Sequence, residues 1–400
     1  MPPLVAAAVL AAAVHAAAVP PAPPADAGAA IQKAMERELA PLKQQRFRTR
    51  AGVHGTVEAV AAPKVTAGEA AEELTLSLGT EQALTCTVFA KRIDPGAAIW
   101  RLAESVKKNL KLLVARPVDV LAVAGSPLVL GELGYQVDTE KGPMVGQLKI
   151  AVYAHDAHSV LCVHDEPGYT KTFARVVKGL AASLQGGGKD ERVRARFAEV
   201  SVMRLGGMAI GYAEHVVWER KEGGRVSASY QTQLLPRGPT DLVAVDSYSE
   251  EESDAQDLLA SGRYAHVTNG DADAQIRLER AEDGKTFRYE GEKEGKRIEG
   301  TFATQAGLST DLWFARRFAA ASPAPNGEVR HEAYSCDAKP DGALPIVYRK
   351  DPAGPRRVEM ELGAMKIAGQ LDANGLFATG EMPVGPTKLV IERAWSRGAP

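Results

Sequence analysis

The chain has 400 residues, which suits two domains of ordinary size, and it is 45% hydrophobic and 24% charged, so disorder is excluded as an account of the whole. A formal net charge of -2 excludes a nucleic-acid binder that works through phosphates, because that needs a concentrated basic face.

The first 27 residues differ from the rest. Leu4 to Val19 is a run of Ala, Val and Leu broken by His15, followed by Pro20-Pro21-Ala22-Pro23-Pro24 and Ala25-Asp26-Ala27. A short apolar core followed by small residues is what signal peptidase reads, and cleavage fits after Ala18 or after Ala27. The run carries no Lys or Arg ahead of it, and it is short and Ala-rich for a membrane span. Residues 1–27 are therefore expected to be a signal peptide, and the protein to be periplasmic or secreted, with no transmembrane segment left after cleavage.

Ile31, Met35, Leu39 and Leu42 mark one face of a short helix. Glu72–Leu78 and Ala83–Ala90 alternate apolar and polar around Gly79-Thr80-Glu81-Gln82 and read as a hairpin. Pro95-Gly96 then breaks the strand, and Ala97–Val114 reads as a helix with Ile99, Leu102, Val106, Leu110 and Leu113 on one face. Strands are expected near 118–124, 128–139, 146–154 and 160–164. Tyr169, Phe173, Val176, Val177, Leu180 and Leu184 form the apolar stripe of a second long helix. Gln185-Gly186-Gly187-Gly188-Lys189-Asp190 ends that helix and reads as a flexible joint open to proteases.

This order resembles the PsbP-like fold, on Gly125-Ser126-Pro127, the strand Leu133-Gly134-Tyr135-Gln136-Val137, the strand Leu148–Ala154 and the closing helix Thr172-Phe173-Ala174-Arg175-Val176-Val177. The resemblance implies helices packed on an antiparallel sheet and a binding or accessory role, and it carries over no functional residue.

Beyond the glycines the pattern is short strands and tight turns. Gly223-Gly224, Asn269-Gly270, Asp283-Gly284, Glu294-Gly295 and Asn374-Gly375 fall between alternating segments, and such pairs suit the positive φ angles of hairpin turns. Gln275–Ala281, Lys285–Glu292 and Lys296–Ala303 read as a meander, and Leu312–Ala321 as a helix capped from Ser309–Asp311. The closing stretch from Leu371-Asp372-Ala373-Asn374-Gly375-Leu376 to Pro383-Val384-Gly385 resembles the end of β-domains found beside transglutaminase-like domains in exported bacterial proteins. That resemblance implies scaffold and no chemistry. The expected fold is α+β: an N-terminal antiparallel sheet with helices packed on it (28–185), a Gly-rich linker (186–190), and a larger antiparallel β-meander domain (191–400) forming a curved sheet or an open barrel.

Three cysteines occur. Cys86 and Cys162 sit in strand-like runs and are candidates for a disulfide, the alternative being two buried thiols; Cys336 is left over. The densest polar cluster is His155-Asp156-Ala157-His158 followed by Cys162-Val163-His164-Asp165-Glu166. A hairpin turn can bring His155, Asp156 and His158 together as zinc ligands, but His164 would lie about 20 Å away along its strand, so the set is too small for a closed site. Cys162 and His164 share a strand face about 7 Å apart, too far for a nucleophile–base pair. Glu250–Asp254, Asp271–Asp273 and Asp372–Asn374 have carboxylates at calcium-like spacing without the full ligand loop. Gly206-Gly207 has no following helix, so it reads as a bend and not a phosphate loop. No cofactor is expected.

Trp218, Tyr230, Trp313, Phe314 and Phe318 are candidates to line an apolar pocket on a concave sheet face, the plainer reading being ordinary core. The expected function is that of an exported non-enzymatic binding or scaffold protein. Its partner would be an apolar small molecule or a protein, and not nucleic acid. The first alternative is an apolar-ligand or lipid carrier using a concave β-sheet, and the second a metal- or thiol-dependent enzyme around His155–Glu166.

Overall fold

The computed structural model describes residues 35–69, 71–140, 142–188, 194–220, 223–310, 313, 327–351, 354, 356–362, 365–373 and 375–399. The signal-like segment, Ile31, Phe314, Phe318 and nearly all of the helix expected over 312–321 lie outside them. Two compact units are found among the described residues: 35–188 group with Leu234–Ala244, and 194–233 group with those from Val245 onward.

In the first unit β1 (Gln44–Arg48) and β2 (His54–Glu58) form a hairpin. The main sheet contains β3 (Lys64–Ala67), β4 (Glu72–Leu76), β5 (Leu84–Phe89), β6 (Lys111–Val123), β7 (Ser126–Thr139), β8 (Gly142–Ala154) and β9 (Ser159–Asp165). Its order is β3-β4-β5-β9-β8-β7-β6, antiparallel throughout. Helix α1 is Pro95–Asn109, started by a proline in its first turn, where the missing N–H is no loss. Helix α2 is Thr170–Ser183, and its buried stripe of Phe173, Val176, Val177 and Leu180 shares one core with Leu74, Leu76, Leu84 and Tyr153. Cys86 and Cys162 are register partners on β5 and β9 and are joined Sγ to Sγ inside that core.

The second unit is a single antiparallel sheet of 14 strands. Its first arm runs through β10 (Phe197–Leu205), β11 (Met208–Glu219), β12 (Arg225–Pro236), β13 (Leu242–Ser253), β14 (Leu259–Thr268), β15 (Asp271–Arg280), β16 (Thr286–Lys293) and β17 (Lys296–Ala303). The second arm runs through β18 (Glu328–Ser335), β19 (Lys339–Lys350), β20 (Arg357–Leu362), β21 (Met365–Leu371), β22 (Phe377–Val384) and β23 (Thr387–Gly398). The arms join because β23 pairs with β10, leaving β17 and β18 as the edges. The sheet curls so that these edges approach without a ladder: Tyr334 of β18 stacks on Phe302 of β17 at 6.0 Å and meets Tyr264 of β14 at 4.9 Å. Between them, Leu259 N donates to Leu308 O and Ser309 N to Glu332 O, both at 2.8 Å. The second bond occupies a carbonyl of the edge strand β18 that would otherwise be bare.

The α+β expectation is corrected. The described residues hold 23 strands and two helices, so the chain is mostly β and built on large antiparallel sheets. Two local misreadings feed the error. Leu39 and Leu42, expected on a helix, lie in an extended strap whose amides donate to Thr172 Oγ1 and Glu58 Oε2 at 2.9 and 3.0 Å. Lys111–Val114, expected as the last turn of α1, is the start of β6, where Leu112 pairs with Tyr135. Leucine suits both periods there, and strand pairing decides.

The glycines expected to form a loose joint are pinned as far as residue 188. His54 and Gln185 exchange backbone bonds at 2.9 Å, and Gly188 N donates to Ala157 O at 2.7 Å. Gly187 has φ +94°, and a Cβ there would sit 2.5 Å from Ala157 O. Gly207, in the β10–β11 turn, has φ +88° with open space around it. Gly207→Ala is therefore expected to lose about 1 kcal/mol, the left-handed penalty alone, and Gly187→Ala about 2–3 kcal/mol because a close backbone contact is added. Denaturant melts of the two variants check this; equal losses would mean the Ala157 contact does not matter.

Candidate functional site

The polar cluster between residues 155 and 166 resolves into separate structural roles. The rings of His155 and His158 stack face to face at 4.5 Å. His155 Nδ1 accepts from Ala157 N at 3.1 Å, and His158 Nδ1 lies 2.9 Å from Gly186 O, a contact it can make only as the donor. Asp156 turns to Arg92 at 3.1 Å. Stacked imidazoles with these nitrogens engaged do not converge on one ion, and among the described residues no group of three or more His, Cys, Asp or Glu is placed to hold a metal. Cys162, bonded to Cys86, has no thiolate to offer His164, which removes the thiol route.

His164 belongs to a different feature. Register places Arg116 opposite Glu132, Glu132 opposite Lys149, and Lys149 opposite His164, so one ionisable residue from each of β6, β7, β8 and β9 forms a row. Of the row, Arg116 is exposed while Glu132, Lys149 and His164 are buried. The Lys149 ammonium donates to Glu166 O, and Tyr135 OH to Asp165. Burial lowers the Lys149 amine to about 8 against the pull of Glu132, Asp165, Glu166 and Glu38. Burial and the neighbouring Lys149 charge also lower His164. The Gln82 backbone lies near enough to favour its charged form slightly, but neither ring nitrogen reaches a partner in hydrogen-bond geometry among the described residues. The row sits at the margin of the α2 core.

The acidic runs are dispersed by their partners. Glu250 accepts from Tyr248 OH, Glu251 from Tyr264 OH, Glu252 from Arg220 and Asp254 from Arg280. Asp273 lies 3.9 Å from His266 Nε2, and Asp372 accepts from Arg393 at 2.5 Å. The first and third runs give oxygens to arginines and tyrosines, and among the described residues no group of three or more His, Cys, Asp or Glu is placed to hold a metal.

The pocket aromatics divide between places. Trp218 is half-buried near the end of β11. Tyr230 meets Tyr248 at 5.0 Å beside a cavity of about 30 Å³, room for a water and not for a ligand. Trp313 lines a larger cavity of about 380 Å³ with Leu258, Gly307, His331, Pro345 and Ile346, a size within the range of small-molecule sites. Trp218 borders neither cavity.

His331, which the sequence does not single out, is part of this wall, with its ring nitrogens sealed from the cavity. Its ring lies between Trp313 at 5.1 Å and Tyr348 at 5.2 Å. Burial lowers it to about 4, so it is neutral at physiological pH. The Glu332 backbone lies near enough to oppose that shift weakly, yet neither ring nitrogen finds a partner in hydrogen-bond geometry among the described residues. At the rim Arg330 pairs with Glu328 at 2.5 Å, and Glu332 accepts from Gln305 N at 2.7 Å. In the sequence His331 is one polar residue in an alternating strand, and nothing local marks it.

No protein-family model matches the sequence, and no curated protein matches it. Among solved structures, it is similar to a β-barrel-like protein of a domain of unknown function, DUF1849, from Brucella abortus. The two are 12% identical with a TM-score of 0.40, over 50% of this chain and 97% of that one. It is also similar to a DUF1089 family protein from Pseudomonas aeruginosa, at 12% identity and a TM-score of 0.28, over 44% of this chain and 87% of that one. Neither likeness bears on the PsbP-like or transglutaminase-associated resemblances. No helix among the described residues is long and apolar enough to cross a membrane.

Proposed function

We propose that this chain is an exported, non-catalytic protein that binds a small molecule. The observation that carries the reading is the cavity of about 380 Å³ in the β-sheet unit, with apolar walls at Leu258, Trp313, Pro345 and Ile346 and polar ones at Gln305, Ser309 and His331. Export is supported by the apolar run Leu4–Val19 with its small residues and by the Cys86–Cys162 bond, which persists in oxidising compartments. The absence of catalysis is supported by how the reactive side chains are used, since thiols, imidazoles and carboxylates that looked available are held in a disulfide, a ring stack and ion pairs.

The test is native mass spectrometry of protein isolated from its own host. The expected result is a chain beginning at Val19 or Gly28, with a retained small molecule released on denaturation. A chain that keeps Met1 and carries no added mass overturns both halves of the reading.

A further inference from the structure

We infer that the charged face of β14–β17 docks a second copy of this chain, in a weak two-fold dimer held by charge. The inference is independent of the binding reading. On these strands Ile276, Leu278 and Phe287 point into the core and alternate with charged residues on the opposite face. Register lays that face out in rows. Arg263 lies opposite Arg277, Arg277 opposite Glu290, and Glu290 opposite Glu299, so one row reads two positive charges and then two negative. These four side chains are between 47% and 71% exposed, free to meet a partner. Like charges directly opposite on neighbouring strands are unfavourable, and a face serving its own chain alone is better built with alternating signs. Each charge does have a neighbour within the chain. Arg263 has Glu250 at 3.9 Å and Arg277 has Glu279 at 2.5 Å, while Glu290 and Glu299 have Arg288 and Arg297 at 3.8 and 2.9 Å. Pairs this exposed contribute little and exchange readily for others.

Segregated signs make the row complementary to itself. Two such faces meet about a two-fold axis that runs along the strands between β15 and β16. The rotation reverses the order of the strands, so Arg263 faces Glu299 of the partner subunit and Arg277 faces Glu290 of the partner subunit. The next row obeys the same operation: Glu279 and Arg288 are register partners on either side of the axis, so each meets the other across the interface. On the far side the row Ala265, Gln275, Glu292 and Arg297 brings no like charges together. This is the self-complementarity that a two-fold interface requires. Three rows on four strands about 4.8 Å apart span roughly 14 Å each way, well under the roughly 800 Å² that each partner buries in a standard interface. The dimer is therefore weak and sensitive to salt.

The test is sedimentation velocity of the full chain over a range of concentrations, in about 20 mM and about 500 mM salt. The expected result is a monomer–dimer equilibrium at low salt that high salt dissolves. Arg263→Glu with Arg277→Glu makes the row wholly negative, and Glu290→Arg with Glu299→Arg makes it wholly positive. Every substitution counts twice across the axis, so either double variant is expected to weaken self-association about tenfold or more. Mixing the two variants at low salt should restore a dimer, now of one negative and one positive row, a rescue that unfolding could not produce. Monomer alone at low salt leaves the face to water or to another partner and overturns the inference. So does a dimer that survives both double variants, a dimer indifferent to salt, or a mixture that stays monomeric.

Discussion

Reduction of the Cys86–Cys162 bond is expected to remove about 4 kcal/mol from the stability of the first unit. The bond closes a span of 76 residues, and in the loop-entropy treatment a closure of that length restricts the unfolded chain by about 4.5 kcal/mol. Native-state cost works in the same direction when the cysteines are replaced. Both are buried among Leu74, Leu84, Ala151 and Val176, so Cys86→Ala with Cys162→Ala also leaves two small voids. The helices among the described residues both lie in this unit, so ellipticity at 222 nm during urea unfolding follows it. The midpoint should fall sharply with dithiothreitol. Thiol counting gives an independent check. Cys336 is free and buried, and burial pushes its thiol up to about 11, so it should react slowly in the folded protein. After denaturation without reductant one thiol per chain should titrate, and after reduction three. Three before reduction would mean that the bond does not form.

How much of this could be read from the chain depends on how local each signal is. The hairpin turns were legible, because Asn269-Gly270 and Glu294-Gly295 advertise the backbone they adopt: all four residues have positive φ, between 51° and 85°. The strands at 271–280, 286–293 and 296–303 were legible for the same reason, as alternation bounded by such turns. Register was not. Starting β8 near residue 146, as its apolar run suggests, loses the Thr139–Gly142 pairing that sets Glu132 opposite Lys149 and Lys149 opposite His164. The closure of the large sheet was equally hidden, since Phe197 pairs with Gly398 and nothing near either residue announces the other. The candidate site suffers from both problems. Trp313 was legible as an aromatic, but its neighbours in the cavity come from four separate stretches of chain, and His331 acquires its character only from the Trp313–Tyr348 stack.

Replacing Arg393 with leucine is expected to destabilise the second unit by about 3–5 kcal/mol at pH 7, and by less at pH 5. Arg393 on β23, its side chain 10% exposed, lies between two carboxylates. Its Nε lies 2.7 Å from Glu199 Oε2 on β10, its Nη1 lies 2.5 Å from Asp372, and its Nη2 donates to Phe377 O at 2.6 Å. Glu199 is buried, and burial, with Asp372 nearby, raises it to about 7 even against the Arg393 charge. Between its unfolded value near 4.5 and that folded value, the folded chain holds a proton that the unfolded chain has released. Stability from Glu199 is therefore present at low pH and is lost as pH rises towards 7. Its register partner His215 works the other way. Burial lowers it to about 3, so the unfolded chain takes up a proton as pH falls below 6.5 and acid removes stability. In the wild-type protein the two slopes oppose each other between about pH 5 and pH 6.5. Glu199→Gln should expose the histidine alone. Its stability should fall behind the wild type by about 1.4 kcal/mol for each pH unit between 7 and 5, measured by urea titration at several pH values. Parallel pH profiles for the two proteins would show that Glu199 stays ionised throughout, and the smaller acid-side loss expected for Arg393→Leu would then disappear with it.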